Sequence, residues 1–587
     1  MSSPILLFRA ALALATGLLP SVGLAEPACG RLATPIATIQ GQGSASPMVG
    51  QTVTVEGIVT LDSRIEGGFG GFYLQQADSE ADQDPQTSEA LFVYTRRKAG
   101  KPGTRLRVTG TVKEFHGLTE LVSIQEVADC GPAPMPEPIL VTLPWSQPPE
   151  QLENMRVRFA EPLTIVDNYN LARYGELTLA ATDQVQPTEL HPPGPAALAL
   201  SYEQQRHRVH LDDNQSLRNP RPVPWPPEGL SYAATLRAGD RVGNLVGVLD
   251  FRFDAWRVQP ESQPVFVKAN PRPAAPTRPP EASVRIMALN LANYFNGDGR
   301  GQGFPTPRGA DTEAAFRQQQ SRLVEALLSP EPDILAVTEL ENDGYGPDSA
   351  IAGLARALGG QWQYVRPSGD DGDDAIRTAL LFRADRVSTL GPAQRLARGP
   401  FQSRGRPPLT QAFRPSGSDT SFRVIVPHLK SKSCRGARGG NQDQADGQGC
   451  FVQRRAEEAR ALVDWAETLP VPQSSAGTVI AGDLNSYARE RPLAILEDAG
   501  FTSAVHRQHG CTTGDCPQYS YRYRGAKGSL DYALISRSLT DRIVSAQTWL
   551  INADEPPALG YRGDLAGQTD APWRSSDHNP VILDLQL

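Results

Sequence analysis

The sequence predicts an α/β protein in which a C-terminal α/β sandwich follows one or two small β-barrels. Three observations predict it. A chain of 587 residues is too long for a single hydrophobic core. Within the first 270 positions, runs such as 52–59 and 105–112 alternate apolar and polar residues with period two, as in half-buried strands. A Pro-rich break at residues 270–280 then leads into a region where strands and helices take turns.

Residues 1–25 read as a secretion signal: an apolar run over 5–19 precedes Gly23, Leu24 and Ala25, small residues where a signal peptidase cuts. No later stretch is long and apolar enough to span a membrane, so the mature chain is expected to be exported, extracellular or periplasmic, and monomeric. Export makes the even number of cysteines legible as disulfides. Proximity suggests Cys434–Cys450 and Cys511–Cys516, leaving Cys29–Cys130 for the first domain. His506, His509, Cys511 and Cys516 form a rival zinc-type set, which an oxidising compartment disfavours.

Residues 26–135 read as a small β-barrel, with strand-like runs at 52–59 and 105–112. An acidic segment (Asp78, Glu80, Asp82, Asp84) interrupts it. Calcium binding is one reading, but the sharp-turn glycine of an EF-type loop is missing, and a solvated loop is expected. Residues 136–270 form a second β domain, whose 240–248 stretch mirrors 103–112 and hints at a tandem barrel. Residues 271–282 are the linker and 283–587 the last domain.

In that domain a strand at 284–289 is followed by an amphipathic helix at 312–328 and a buried strand at 334–337. Acids, amides and histidines gather at strand ends: Asn290, Glu339, His428, Asp483 and Asn485, then Asp531, Asp577 and His578. Hard oxygen ligands suit Mg²⁺, with Mn²⁺ or Ca²⁺ as alternatives, better than zinc. Phosphodiester hydrolysis needs a cation, a base for water and help for the leaving oxygen, and this set contains all three.

The order Asn290, Glu339, His428, Gly482-Asp483-Leu484-Asn485, Leu530-Asp531-Tyr532 and Ser576-Asp577-His578-Asn579-Pro580 resembles the endonuclease/exonuclease/phosphatase superfamily. Residues 289–295, 339–346, 428–432 and 552–556 are similar to its large extracellular bacterial nucleases. The resemblance implies a four-layer, deoxyribonuclease I-like sandwich after an oligonucleotide-binding-type (OB-like) barrel. It also implies Glu339, Asn290 and Asp577 as ligands of a divalent cation, and Asp483 and Asn485 orienting water and phosphate. His578 would be the general base, held by Asp531, while His428 would donate to the phosphate or leaving group. Arg406 would contact phosphate, and Asp374 falls near the place of the carboxylate partner of His428.

Net charge is −8, so no global basic field attracts a polyanion. From Arg404 to Arg438, however, eight basic residues, Lys430 and Lys432 among them, face one acid, Asp419. Such a stretch around His428 is what tracking a phosphate backbone would need, with little reading of sequence. The expected function is therefore a secreted nuclease acting on DNA, with RNA as a further substrate. Two alternatives remain: a phosphoesterase for a lipid or small phosphodiester, and a non-catalytic nucleic-acid or surface-binding protein.

Overall fold

The computed structural model describes Met1 and residues 29–297, 303–403, 405–512, 515–563, 565 and 570–587. The expected signal segment and Arg404 lie outside the described residues.

The first region is a closed five-stranded barrel of Thr52–Asp62, Gly71–Gln75, Ala90–Tyr94, Thr104–Phe115 and Leu118–Pro132. Its alternating residues Val55, Val59, Leu74, Val93, Leu106 and Val108 point inward and fill the core. A disulfide between Cys29 and Cys130 ties the entering chain to the last strand. The second region is a nine-stranded sheet between Ile139–Val141 and Val265–Val267, not a second closed barrel. The stretch that mirrors the first barrel is broken here, at Asn244 and Leu245, into the separate strands Arg241–Gly243 and Val246–Arg252, which pair with different partners.

The C-terminal region stacks two six-stranded sheets. One contains Val284–Tyr294, Ile334–Glu341, Ile376–Arg383 and Val581–Leu585; the other contains Leu409–Pro415, Ser421–Val426, Ser475–Asp483 and Asp531–Ser536. Period two decides the layering. Ile286, Ala288, Val424 and Val479 face the core between the sheets. Met287, Leu289 and Leu335 face outward onto the helices Glu313–Leu328 and Ala350–Leu358. Ile425, Ile480 and Leu534 pack on Val452–Thr468 and Arg491–Asp498 across the other sheet. The result is helix, sheet, sheet, helix. The expected helix starts where its cap predicts: Thr312 accepts the Ala315 N–H through its hydroxyl.

The Pro-rich segment is pinned rather than free. Its carbonyls at Pro276 and Thr277 accept from the buried Arg285 guanidinium, and Arg278 pairs with Asp333 at 2.7 Å. The second β-region is bound to the C-terminal one by backbone and charge together. Gln184–Val185 adds a parallel strand to Ala526–Gly528. Beside it Asp183 accepts from Arg522 at 2.7 and 3.0 Å and pairs with Lys527 at 3.0 Å.

Candidate active site

Every strand that carries a candidate residue ends at the same edge of the sandwich, and two of them are bent there. Pairing between Val284–Tyr294 and Ile334–Glu341 slips after Asn290, and Ala292 and Asn293 adopt positive φ. Ile334–Glu341 slips against its other neighbour between Val337 and Leu340, with Glu339 at φ 58°. Irregularities of this kind re-aim a side chain and are held at a local cost, which is why they gather at functional sites. In the second sheet Gly482 permits a close approach: a Cβ there would lie 2.4 Å from the Pro427 carbonyl oxygen. Asp483 and His428 are thereby bridged side by side.

The side chains converge. His578 Nδ1 and Asp531 Oδ2 are 2.6 Å apart, and the Ser520 hydroxyl accepts the Asp531 backbone N–H at 2.9 Å, which holds the start of that strand in place. Asn290 donates to Asp483 Oδ2 at 3.1 Å, while Asp483 Oδ1 accepts the Asn485 N–H at 2.8 Å. Ser576 donates to the Asn290 carbonyl at 2.6 Å and accepts the His578 N–H at 3.1 Å. Arg406 Nη1 donates to His428 Nε2 at 2.7 Å, and Asp483 lies 3.4 Å from the same nitrogen.

The electrostatics follow from four carboxylates crowded against few cations. Burial and the neighbouring Asp577 charge push Glu339 up, although Asn290 bonds to it. Burial and Asp531 push Asp483 up to about 7. Burial works against a charged His578, but Asp531 overcomes it and holds that ring well above the ordinary histidine range. Burial and Arg406 hold His428 well below it. With His428 neutral, its ring can accept from Arg406. Glu339, Asp483, Asp531 and Asp577 crowd four carboxyl groups together, and the upward shifts of Glu339 and Asp483 mark a shortage of positive charge beside them. A divalent cation bound by oxygen ligands fits that deficit. Asp483, Asp531 and His578 also bring ligand atoms within 4.8 Å of one another.

Three expectations change. Asp374 pairs with Arg308 at 2.9 Å, and the carboxylate beside His428 is Asp483. Lys432 lines the cleft but is already paired: it is tied to the buried Glu490 and lies over the Tyr487 ring. Burial lowers its pKa to about 8 despite Glu490. The basic run is also not one surface. Arg423 sits in a strand and donates to the Pro470 carbonyl, while Arg435 and Arg438 are in the exposed loop closed by Cys434–Cys450. Lys430 is half-buried, over the Phe451 ring. The zinc alternative loses its thiols to a Cys511–Cys516 disulfide, and His506 pairs with Glu189 at 2.6 Å.

Residues that the sequence did not single out complete the site. The Tyr521 ring lies 4.6 Å from that of His578. More unexpected is the far wall. Glu339, Arg406, His428, Asp483 and His578 open into a cleft of about 1600 Å³ whose opposite side belongs to the second β-region, including Trp145, Tyr169 and Trp256. A contact between domains leaves no periodic trace in sequence; only the odd clustering of aromatics could have hinted at it.

The profile of the endonuclease/exonuclease/phosphatase family matches residues 287–578, which span the whole cluster from the Asn290 strand to His578. The C-terminal half of this chain belongs to the endonuclease/exonuclease/phosphatase family. Its members hydrolyse phosphoesters, and the acid and histidine cluster is placed as a divalent-metal site would be. Among solved structures, the chain is similar to D. rerio TDP2 complexed with single strand DNA product: 16% identity, TM-score 0.33, covering 51% of this chain and 97% of that one. It is also similar to a mannosyl-6-phosphatase of Bacteroides thetaiotaomicron: 14% identity, TM-score 0.34, covering 51% and 99%. A third is beta toxin of Staphylococcus aureus: 12% identity, TM-score 0.32, again 51% and 99%. No curated protein matches the chain. Among the described residues no helix is long and apolar enough to cross a membrane.

Proposed function

We propose that this endonuclease/exonuclease/phosphatase protein is an exported, divalent-metal-dependent nuclease that hydrolyses phosphodiester bonds of DNA, and of RNA, with low sequence specificity. The observation that carries the reading is the placement of the His578–Asp531 pair beside a buried cluster of carboxyl groups, on the floor of a large cleft. Glu339, Asp577 and Asn290 would hold the cation, which supplies charge neutralisation at the scissile phosphate. With a cation offsetting the neighbouring carboxylates that favour its charged form, His578 in its neutral form would take the proton of the attacking water at Nε2, because Asp531 occupies Nδ1 and fixes the ring. Asp483 and Asn485 orient that water. Arg406 faces the phosphate, with neutral His428 aligning its guanidinium.

Both walls of the cleft argue for a polymer. A volume of about 1600 Å³ exceeds the ~300–1,000 Å³ of common small-molecule pockets. Its second-domain side offers aromatic rings, on which bases stack irrespective of sequence. Three disulfides fit an oxidising compartment. The test is parallel hydrolysis of plasmid, linear duplex, RNA and a small soluble phosphodiester, in Mg²⁺ and in Ca²⁺. The polymers should be cleaved and the small ester spared; preference for the small ester would replace the nuclease reading.

A further inference from the structure

The zinc-type residues near position 510 come together in space with one change of member. Glu189, from the second β-region, takes the place of His509 beside His506 and Cys511. One ligand atom from each of these three residues lies within 4.8 Å of the other two. Glu189 Oε1 and His506 Nε2 are 2.6 Å apart, and Cys511 Sγ lies 3.9 Å from the same oxygen. Ligand atoms around a tetrahedral zinc stand about 3–4 Å apart, so little movement separates this set from a coordination shell.

Each ligand is already aimed and supported from behind. Glu189 is 3% exposed, and its Oε2 accepts the backbone N–H groups of Ala488 at 3.1 Å and Ser529 at 3.3 Å. His506 Nδ1 lies 2.9 Å from the Ser503 hydroxyl, which leaves Nε2 toward Glu189, and the His506 ring stacks on Tyr532. Supports of this kind fix the orientation of metal ligands. Cys516 is the fourth member, buried and bonded to Cys511. The backbone also holds the two cysteines side by side: the Thr512 N–H donates to the Asp515 carbonyl at 2.7 Å, and the Asp515 N–H donates back at 3.1 Å. Four residues lie between the cysteines, within the spacing of zinc-binding pairs.

We propose that Glu189, His506, Cys511 and Cys516 form a redox-gated zinc site at the boundary between the second β-region and the C-terminal one. The disulfide keeps it closed, because zinc is bound by thiolates. Reduction adds two electrons and two protons to the bridge. A dithiol supplies both and becomes a disulfide; alternatively a phosphine supplies the electrons and water the protons, the phosphine leaving as its oxide. Zn²⁺ then displaces both thiol protons and is held by two sulfurs, one nitrogen and one oxygen. Three of these ligands belong to the C-terminal region and Glu189 to the other, so the ion would clamp the two together. No member belongs to the cation cluster around Glu339, and the inference does not rest on the proposed function.

The experiment is Co²⁺ titration of the full-length, chelator-stripped protein, read by the thiolate-to-cobalt charge-transfer band, which the thiol-free cluster at Glu339 does not produce. Oxidised wild type should show no such band. Wild type reduced with a phosphine should show it at one Co²⁺ per chain and lose it on addition of Zn²⁺. Reduction opens all three bridges, so His506→Asn and Glu189→Gln identify the site: each should weaken this binding by at least the ~10-fold typical of removing even a supporting group. Cys516→Ser, left unreduced, keeps the other two bridges and frees Cys511 beside His506 and Glu189. It should bind Co²⁺ more weakly, with a single-thiolate band that adding His506→Asn removes. Should reduced wild type unfold, Cys516→Ser decides, and absence of its band overturns the proposal. A folded, reduced wild type without the band overturns it too, as does a band unaltered by both His506→Asn and Glu189→Gln, since the metal would then sit on other cysteines.

Discussion

Asp183→Asn tests whether the two halves of the cleft are held as one body. Asp183 belongs to the second β-region, and its carboxylate accepts two hydrogen bonds from Arg522 and pairs with Lys527, both across the boundary. Burial raises its pKa, but the Arg522 and Lys527 charges win and bring it to about 2, from 3.8. A shift of that size corresponds to about 2 kcal/mol of folding free energy. The pair is largely buried, with side-chain exposures of 16% for Asp183 and 5% for Arg522, so solvent screening removes little of it. Arg522 keeps Asp554 at 2.9 Å, which limits the penalty of stranding its charge. The variant should therefore lose about 2–3 kcal/mol at pH 7. The sign is fixed by linkage: a depressed carboxylate contributes above its unfolded value of 3.8 and loses that contribution as pH falls towards 2. Denaturant unfolding of wild type and variant at pH 7 and again near pH 2 reads both numbers. Equal stabilities at pH 7, or a gap undiminished near pH 2, would refute the clamp.

Gly482→Ala places a methyl 2.4 Å from the Pro427 carbonyl, so the Asp483 and His428 strand ends must separate; we expect about 1–3 kcal/mol of destabilisation and a fall in kcat, read by melting and by turnover. Lys432→Ala removes one partner of the buried Glu490, which keeps Thr188 at 2.8 Å and Arg455 at 3.9 Å, and should cost ~1–3 kcal/mol, whereas Lys430→Ala should stay within ~1 kcal/mol and raise KM instead. Equal stability of the two lysine variants would mean that the Glu490 pair contributes nothing to the fold. Replacing Cys434 and Cys450 by Ser opens a loop of 16-residue separation and should cost about 3 kcal/mol by denaturant unfolding; no change would mean that the loop is restrained without the bridge.

The layered fold was legible because period-two strands and a capped amphipathic helix write their burial into the chain: Ile286 and Ala288 face one layer, Met287 and Leu289 the other. The site was legible as a set of strand-terminal acids and histidines in order. Its pairings were less so. Asp374 stood near the right place in sequence, yet Asp483 reaches His428 because Gly482 lets two strand ends touch, and no local pattern announces such an approach. Lys432 looked like a phosphate ligand from its basic neighbours, while its partner Glu490 is 58 residues away. The second β-region was read as a possible barrel because a short alternation such as 240–248 looks the same in an open sheet and a closed one.

The central claim, a metal-dependent nuclease centred on Glu339, is tested most directly by DNA cleavage with stripped and Mg²⁺-restored enzyme, in wild type and Glu339→Gln. Wild type should be inactive after chelation and recover with Mg²⁺. Glu339→Gln should melt as a folded protein, bind DNA, and turn over at least ~10²-fold more slowly at saturating Mg²⁺. Full cleavage after chelation, or near wild-type turnover by a folded Glu339→Gln protein, would contradict the account.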